Sequence, residues 1–453
     1  MRKRLGAALL LLISILALAP DTRAQRIRLI TDAEIESTIR SFGAPLFGLA
    51  GLDPASVRVY IVNDPRLNAF VAGGQRIFLN TGLLLASDSA NQVIGVIAHE
   101  TGHIAGGHLA ATQQALRNAS AQSIIAMVLG AAAVVAGQGR AGQAVLAGGS
   151  AAAQAGFLRY SRIQEGAADQ AALTFLDQSG QSARGLLEFF DKLGDQEALL
   201  TESQDPYVRS HPLNRERMAT VRNHVERSPL SNKTDTPENA ERHARMIAKL
   251  RGFLSPHEAL RIYGPEQRGM AARYARAIAQ HRLNRSAEAL AEMDSLLAER
   301  PDDAFFHELK GQMLLENGRV RDAVPSYRRA VELAPQEILL RIGLAQALVN
   351  TDERDAAKEA ITVMEQLIGI ERDNPTAWRW LAQAYARDEQ IGMAALATAE
   401  RYMLTRSVRE ALGQANRALG ILPEGSAARL RADDIRNAAE RMLKIDRDKK
   451  SRN

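Results

Sequence analysis

The run Asn91–Leu109 contains His99-Glu100-Thr101-Gly102-His103 on an amphipathic helical pattern. His99 and His103 are four residues apart, so both imidazoles leave one helix face and can share an ion. Glu100 sits about 100° around the helix from His99. From there its carboxylate can reach a water beside the ion without ligating the ion, as a general base must. Neutral imidazole nitrogens suit Zn²⁺, and a catalytic zinc takes three protein ligands with one position left open. The alternative is a surface helix with two incidental histidines. Val93, Ile94, Val96 and Ile97 argue against it, because they imply a buried helix where unliganded polar side chains are costly. One zinc per chain is expected.

A third ligand must come from elsewhere, and Glu165 offers itself in the segment Tyr160-Ser161-Arg162-Ile163-Gln164-Glu165-Gly166-Ala167-Ala168-Asp169. Glu165 and Asp169 share a helix face, where like charges repel by roughly 0.2–0.5 kcal/mol. A cation between them and the first helix reverses that sign. Glu165 would then bind zinc while Asp169 accepts an N–H from a ligating histidine and fixes its tautomer. Two solvated acids on an exposed face are the alternative for this segment alone. His211 stands out in Arg209-Ser210-His211-Pro212-Leu213. His108 lies nine residues past His99, about 180° around a continuing helix, and is expected to face away as a surface or packing residue. His224, His243, His257, His281 and His307 have no partner motif and read as ordinary.

The elements that must position these groups are legible in outline. Thr31 and Glu34 make a capping box that starts a helix running through Arg40. Val57, Val59 and Ile61 alternate as in a strand, and Asp64-Pro65 ends it. Ala69–Val71 and Arg76–Leu79 flank Gly73-Gly74, so two further strands joined by a glycine turn are expected. Residues 120–158 are dominated by Ala, Gly and Val. They read either as a membrane-inserted hairpin or as two small-residue helices packed on the catalytic core. Each apolar run is shorter than ~18 residues and broken by Gly or Gln, which favours packing.

With 453 residues, 46% hydrophobic and 24% charged, the chain is a folded protein of about two or three domains, and wholesale disorder is excluded. It has no Cys, which removes disulfides, thiolate zinc clusters, Fe–S centres and a Cys nucleophile together. Met1–Arg4 is basic, Leu5–Ala19 is almost wholly apolar, and Thr22-Arg23-Ala24 supplies a cleavage site. This is the order of a secretory signal, with cleavage expected after Ala24. A permanent anchor is the alternative, but the apolar core is shorter than the ~20 residues a span needs. Cleavage removes Arg2, Lys3, Arg4 and Arg23 along with Asp21, lowering the formal charge from +5 to +2. Nothing in that value suggests nucleic acid, and an exported chain without Cys fits the bacterial periplasm.

Beyond the polar, Pro-bounded stretch Ser228–Pro237 the pattern is almost continuously helical, and it repeats. Pro301 and Pro335 are 34 residues apart; Ala277 aligns with Gly311, Ala289 with Ala323, Met293 with Tyr327 and Leu296 with Ala330. Ala345, Ala357 and Ile361 continue the series, Pro375 closes it six residues late, and Trp378, Leu381, Ala382, Tyr385 and Ala394 open another unit. A 34-residue period with small residues at fixed positions is the tetratricopeptide (TPR) pattern. Helices Val408–Leu419 and Ala427–Leu443 can cap the array, and the tail from Asp446 is expected to fray. The expected division is a signal peptide at 1–24, a metalloprotease domain at 25–227, a linker and connecting helix at 228–265, a TPR domain at 266–443 and a charged tail at 444–453. The fold class is mainly α: a zincin-like α+β protease domain, with a small sheet and the His99 helix, followed by an α-solenoid.

The HExxH motif, the Glu165…Asp169 pair after Ser161-Arg162, and the segment Asn63-Asp64-Pro65, Asn68-Ala69-Phe70, Gly73-Gly74 and Asn80-Thr81-Gly82-Leu83-Leu84 resemble the HtpX and CAAX-prenyl endopeptidase family of zinc metallopeptidases. The secretory signal, His211-Pro212-Leu213 and the TPR array narrow the resemblance to periplasmic members that act in outer-membrane assembly. It implies His99, His103 and Glu165 as zinc ligands and Glu100 as catalytic base. His211 would fill the open zinc position in a self-inhibited state and swing away for catalysis; Arg217 matches the arginine that accompanies it, and Asp169 would support a ligand. Ala69, Phe70, Val71, Ala72 and Gly73 would form the edge strand on which an extended substrate pairs. The TPR array would dock on the protease domain and contact the β-barrel assembly machinery and its substrates, unfolded or misassembled outer-membrane proteins, with room for peripheral membrane association. The 120–158 stretch departs from this pattern and is similar to the membrane hairpins of HtpX. Two other readings stand beside the zinc endopeptidase: a TPR-mediated chaperone or adaptor with little proteolysis, and a membrane-integrated protease.

Overall fold

The computed structural model describes residues 28–112, 114, 117, 161–199, 211 and 213–450. The expected signal at 1–24 and the 120–158 segment lie outside the described residues. Strand β1 (Leu29–Ile30) leads into helix α1 (Ala33–Leu49). The helix is capped by Asp32, whose side chain accepts the Ile35 N–H, while Glu36 accepts the Asp32 N–H at 3.3 Å. The reciprocal cap is therefore made by Asp32 and Glu36 rather than by Thr31 and Glu34; Glu34 is buried and engaged elsewhere. The helix also runs past Arg40 and through Pro45.

Strands β2 (Arg58–Val62), β3 (Ala69–Val71) and β4 (Arg76–Asn80) complete a sheet of order β1-β2-β4-β3. β2 and β4 run parallel, pairing Val59 with Ile77 and Ile61 with Leu79. β3 is an edge strand, antiparallel to β4, and the chain reverses through Gly73 and Gly74 at φ +60° and +96°. Val59, Ile61, Ile77 and Leu79 point into the core. On the opposite face Tyr60, Phe78 and Phe70 stack across three strands, with ring centroids 5.0 and 4.9 Å apart. The short helix α2 (Thr81–Ala86) follows β4.

Helix α3 (Ala90–Ala105) carries the paired histidines and is capped by Ser89, which accepts the Gln92 N–H. Val93, Ile94, Val96 and Ile97 are fully buried, as the pattern predicts. Two glycines let it pack closely. A Cβ on Gly102 would lie 2.7 Å from the Ala168 carbonyl oxygen of helix α4 (161–178), and one on Gly95 would lie 2.8 Å from the Leu186 nitrogen of α5 (Arg184–Leu199). Helix α6 (Arg215–Arg227) leads into the Pro-bounded stretch, which is pinned: Ser182 Oγ and Arg184 Nε both donate to the Ser231 carbonyl.

Helix α7 (Pro237–Leu254) joins the two halves: Met246, Ile247 and Leu250 belong to the core of the N-terminal half, and Ala248 to the first repeat core. After α8 (Pro256–Ile262) come five helix pairs: α9 (Met270–Arg282) with α10 (Ser286–Glu299), α11 (Ala304–Glu316) with α12 (Val320–Leu333), α13 (Ile338–Val349) with α14 (Arg354–Ile370), α15 (Pro375–Arg387) with α16 (Ile391–Leu404), and α17 (Val408–Ile421) with α18 (Ala427–Lys450). The repeat positions have a packing reason. A Cβ on Gly311 or Gly343 would lie 2.8 or 2.5 Å from the ring of Tyr327, which fills the space both leave. Pro375 falls late because α14 has 17 residues where α12 has 14, and because it opens α15 whereas Pro335 lies in the connection before α13. The last helix continues to Lys450 rather than fraying from Asp446.

The repeats dock on the N-terminal half through charge. Glu34 of α1 pairs with Arg245 of α7 at 2.6 Å and accepts the Tyr274 hydroxyl of α9 at 2.6 Å. Lys249, fully buried, lies 3.0 Å from Asp32, 3.3 Å from Glu34 and 3.6 Å from Glu308 of α11. Glu337 binds Arg40 at 2.5 Å and Ser37 at 2.8 Å. Among the described residues no helix is long and apolar enough to cross a membrane.

Candidate metal centre

Helix α3 places His99 and His103 on one face, α4 brings Glu165 against them, and the turn before α6 brings in His211; all four are buried or nearly so. His99 Nε2 is 3.1 Å from His103 Nε2, 3.3 Å from Glu165 Oε2 and 3.3 Å from His211 Nδ1. His103 Nε2 is 3.4 Å from Glu165 Oε1, and His211 Nδ1 is 3.1 Å from Glu165 Oε2. Each of the four residues offers one donor atom, and these atoms lie within 4.8 Å of one another. A tetrahedron with zinc–ligand distances of about 2.0–2.1 Å has edges of roughly 3.3–3.4 Å, so the spacing fits a tetrahedral Zn²⁺. The donor set is right as well: imidazole nitrogens and one carboxylate.

Charge points the same way. Burial alone would lower His99, but Asp169 and Glu165 overcome it and lift its pKa to about 9. Burial opposes ionisation of Glu165, yet His211, His103 and His99 hold it far below the usual carboxylate range. The carboxylates thus favour positive charge among the imidazoles. Both carboxylate oxygens of Glu100 are buried with no hydrogen-bond partner among the described residues, and Oε1 lies 3.6 Å from His211 Nε2. A buried acid left unpaired beside a donor cluster is placed for a water.

A second layer orients the donors. Asp169 Oδ1 lies 2.9 Å from His99 Nδ1. Arg217 grips Asp169 at 2.6 and 2.9 Å, reaches Glu165 at 3.0 Å and donates to the His211 carbonyl at 3.3 Å. Its guanidinium lies over the Phe190 ring, 4.9 Å from the centroid. Burial pushes Asp169 up, but Arg217 and His99 lower it.

His108 corrects the sequence expectation. It does not face away: its Nδ1 is 3.0 Å from His103 Nδ1. The helix ends at Ala105, Gly106 caps it, and Gly107 adopts φ +63°, turning the chain back. The His108 ring then crosses Gly106, where a Cβ would meet its Nε2 at 2.3 Å. Gln164, next to Glu165, donates to the His108 carbonyl at 3.2 Å and accepts from Thr112 Oγ1 at 2.7 Å. Gly106-Gly107 was the available signal, since extrapolating a helical wheel across two glycines is unsafe. Burial, with His103 beside it, lowers the His108 pKa to about 4. His224, His243, His281 and His307 each have a partner away from the cluster. Of the expected substrate strand, Ala69, Phe70 and Val71 form β3, which packs against α3; Ala72 extends the ladder through its N–H to the Arg76 carbonyl, and Gly73 is in the turn.

Comparison with known proteins agrees with this geometry. Residues 31–225 match the model of peptidase family M48, and residues 274–338 and 308–361 match that of a tetratricopeptide repeat. The chain is 26% identical over 428 residues to the Beta-barrel assembly-enhancing protease of Yersinia pestis, covering 92% of this chain and 86% of that one. It is 25% identical over 414 residues to the protein of that name in Escherichia coli (strain K12), covering 89% and 83%. The Metalloprotease YcaL of the same strain is 30% identical over 173 residues, covering 38% of this chain and 63% of that one. The chain carries a peptidase family M48 domain followed by tetratricopeptide repeats.

Proposed function

We propose that the chain is a zinc metalloendopeptidase that cleaves misfolded or stalled outer-membrane proteins in the periplasm. The observation that carries the reading is the convergence of His99 Nε2, His103 Nε2 and the Glu165 carboxylate at 3.1–3.4 Å beside Glu100, whose carboxylate has no hydrogen-bond partner among the described residues. His99, His103 and Glu165 hold the metal. When bound, zinc polarises a peptide carbonyl and acidifies water toward a pKa of ~7. Glu100 takes the proton of the attacking water at its carboxylate and returns it to the leaving amine. Asp169 and His108 keep the His99 and His103 rings aligned, and Arg217 holds Asp169, Glu165 and the His211 backbone together.

His211 supplies the fourth donor, so this is a closed state in which the substrate position is filled. Opening requires the His211 turn to move. An extended substrate then adds to β3, pairing through Ala69–Gly73; a folded strand cannot do so. The relatives' names connect them with β-barrel assembly, and this chain's repeats are read as the arm that engages that machinery and its clients. The proposed division is a signal at 1–24, the protease domain at 25–227, a linker and connecting helix at 228–265, repeats at 266–443 and a tail at 444–453. Glu100→Gln should retain zinc and lose casein hydrolysis; full hydrolysis by that variant refutes the assignment of Glu100.

A further inference from the structure

The rings of Tyr60, Phe78 and Phe70 stand in line across β2, β4 and β3, with neighbouring planes tilted by only 17° and 5°. Their centroid spacings of 5.0 and 4.9 Å match the roughly 4.8 Å that separates strands in a sheet, so the stack grows by one ring per strand. It stops at Phe70, half-buried on the outermost strand, and no further ring is stacked there among the described residues.

The backbone of β3 is set to continue the sheet at this point. Ala72 donates its N–H to the Arg76 carbonyl, and the Asn68 carbonyl accepts the Asn80 N–H. The hydrogen-bonded pairs with β4 therefore fall on residues 68, 70 and 72. The N–H and C=O groups of Ala69 and Val71 point the other way, along the open edge, and have no partner among the described residues. A strand that pairs antiparallel with those groups leaves the residue opposite Phe70 in a non-hydrogen-bonded pair. There Cα atoms approach to roughly 4.5 Å and side chains are closest. That residue projects beside the Phe70 ring, while its two neighbours project onto the face of Ala69, where α3 packs.

We propose that Phe70 determines specificity: the position opposite it selects an aromatic side chain, Tyr or Phe, in the extended substrate segment, which becomes the fourth ring of the stack. Offset-stacked rings gain beyond the area they bury, and an aliphatic side chain of similar size lacks that gain. The proposal names a substrate feature of the protease described above and rests on that reading.

The test uses the full chain bearing Glu100→Gln and His211→Ala, so that the cleft is open and peptide binds without turnover. Fluorescent nonapeptides of Thr and Ser with Tyr, Leu or Ala at the centre are titrated by polarisation. The Tyr peptide should bind roughly threefold to tenfold more tightly than the Ala peptide, and ahead of the Leu peptide. Phe70→Leu keeps an apolar side chain over Phe78 and should bring Tyr down to the level of Leu; Phe70→Trp should keep the preference. A merely structural role for Phe70 would weaken all three peptides alike. Equal binding of the three by the parent chain, or a Tyr preference that persists in Phe70→Leu, overturns the proposal. Zinc content and casein hydrolysis by the chain with Glu100 and His211 in place test the protease reading separately, and their failure leaves the Phe70-dependent selectivity to be read on its own.

Discussion

Asp169 sets one carboxylate oxygen 2.9 Å from Nδ1 of His99 while Arg217 holds both of its oxygens at 2.6 and 2.9 Å. The acid is thus fixed before it fixes the imidazole, leaving His99 Nε2 aimed at the donor cluster. Asp169→Asn keeps the shape and removes the charge. It should lower zinc affinity by about 10–100-fold in competition with a chelator, since outer partners of ligating histidines contribute on that scale. His108→Ala should act likewise through His103. Unchanged affinity in both variants would mean that the rings are held by packing alone.

His211 sets Nδ1 3.1 Å from Glu165 and 3.3 Å from His99, and in the proposed reading it fills the position a substrate carbonyl would need. If it is a plug, His211→Ala raises basal casein hydrolysis above the wild-type rate. A lower rate at unchanged zinc content would make it a donor to the reacting oxygen instead.

Burial, with Asp32 and Glu34 alongside, raises Glu308 to about 7 despite Lys249. The folded chain therefore keeps a proton there that the unfolded chain has already released above the ordinary Glu value of 4.5. Its stabilising contribution is complete below that value and is lost as pH climbs through about 7. Urea unfolding at pH 5.5 and 8 should show wild type losing on the order of 1 kcal/mol more than Glu308→Gln over that range. Equal losses in the two proteins would show that Glu308 is charged in both states.

Local spacing made much of the centre legible. His99 and His103 recur at the helical period, and beside that motif Glu165 and Asp169 on one helix face point to a shared cation. What lay beyond local reading was tertiary. The His108 contact depends on how two glycines turn the chain. Glu34 fitted a capping box by position but is drawn to Arg245 and Tyr274, more than two hundred residues away in sequence. Lys249 is fully buried among acids that α1 and α11 bring to it. No periodicity announces a residue whose partners come from the far end of the chain.

The most direct measurement is elemental analysis of the purified chain and of its Glu165→Ala variant, paired with casein hydrolysis. About one zinc per wild-type chain is expected, with metal and activity both lost when Glu165 is replaced. A wild-type chain that cleaves casein without zinc, or a Glu165→Ala chain that retains both metal and activity, would contradict the account.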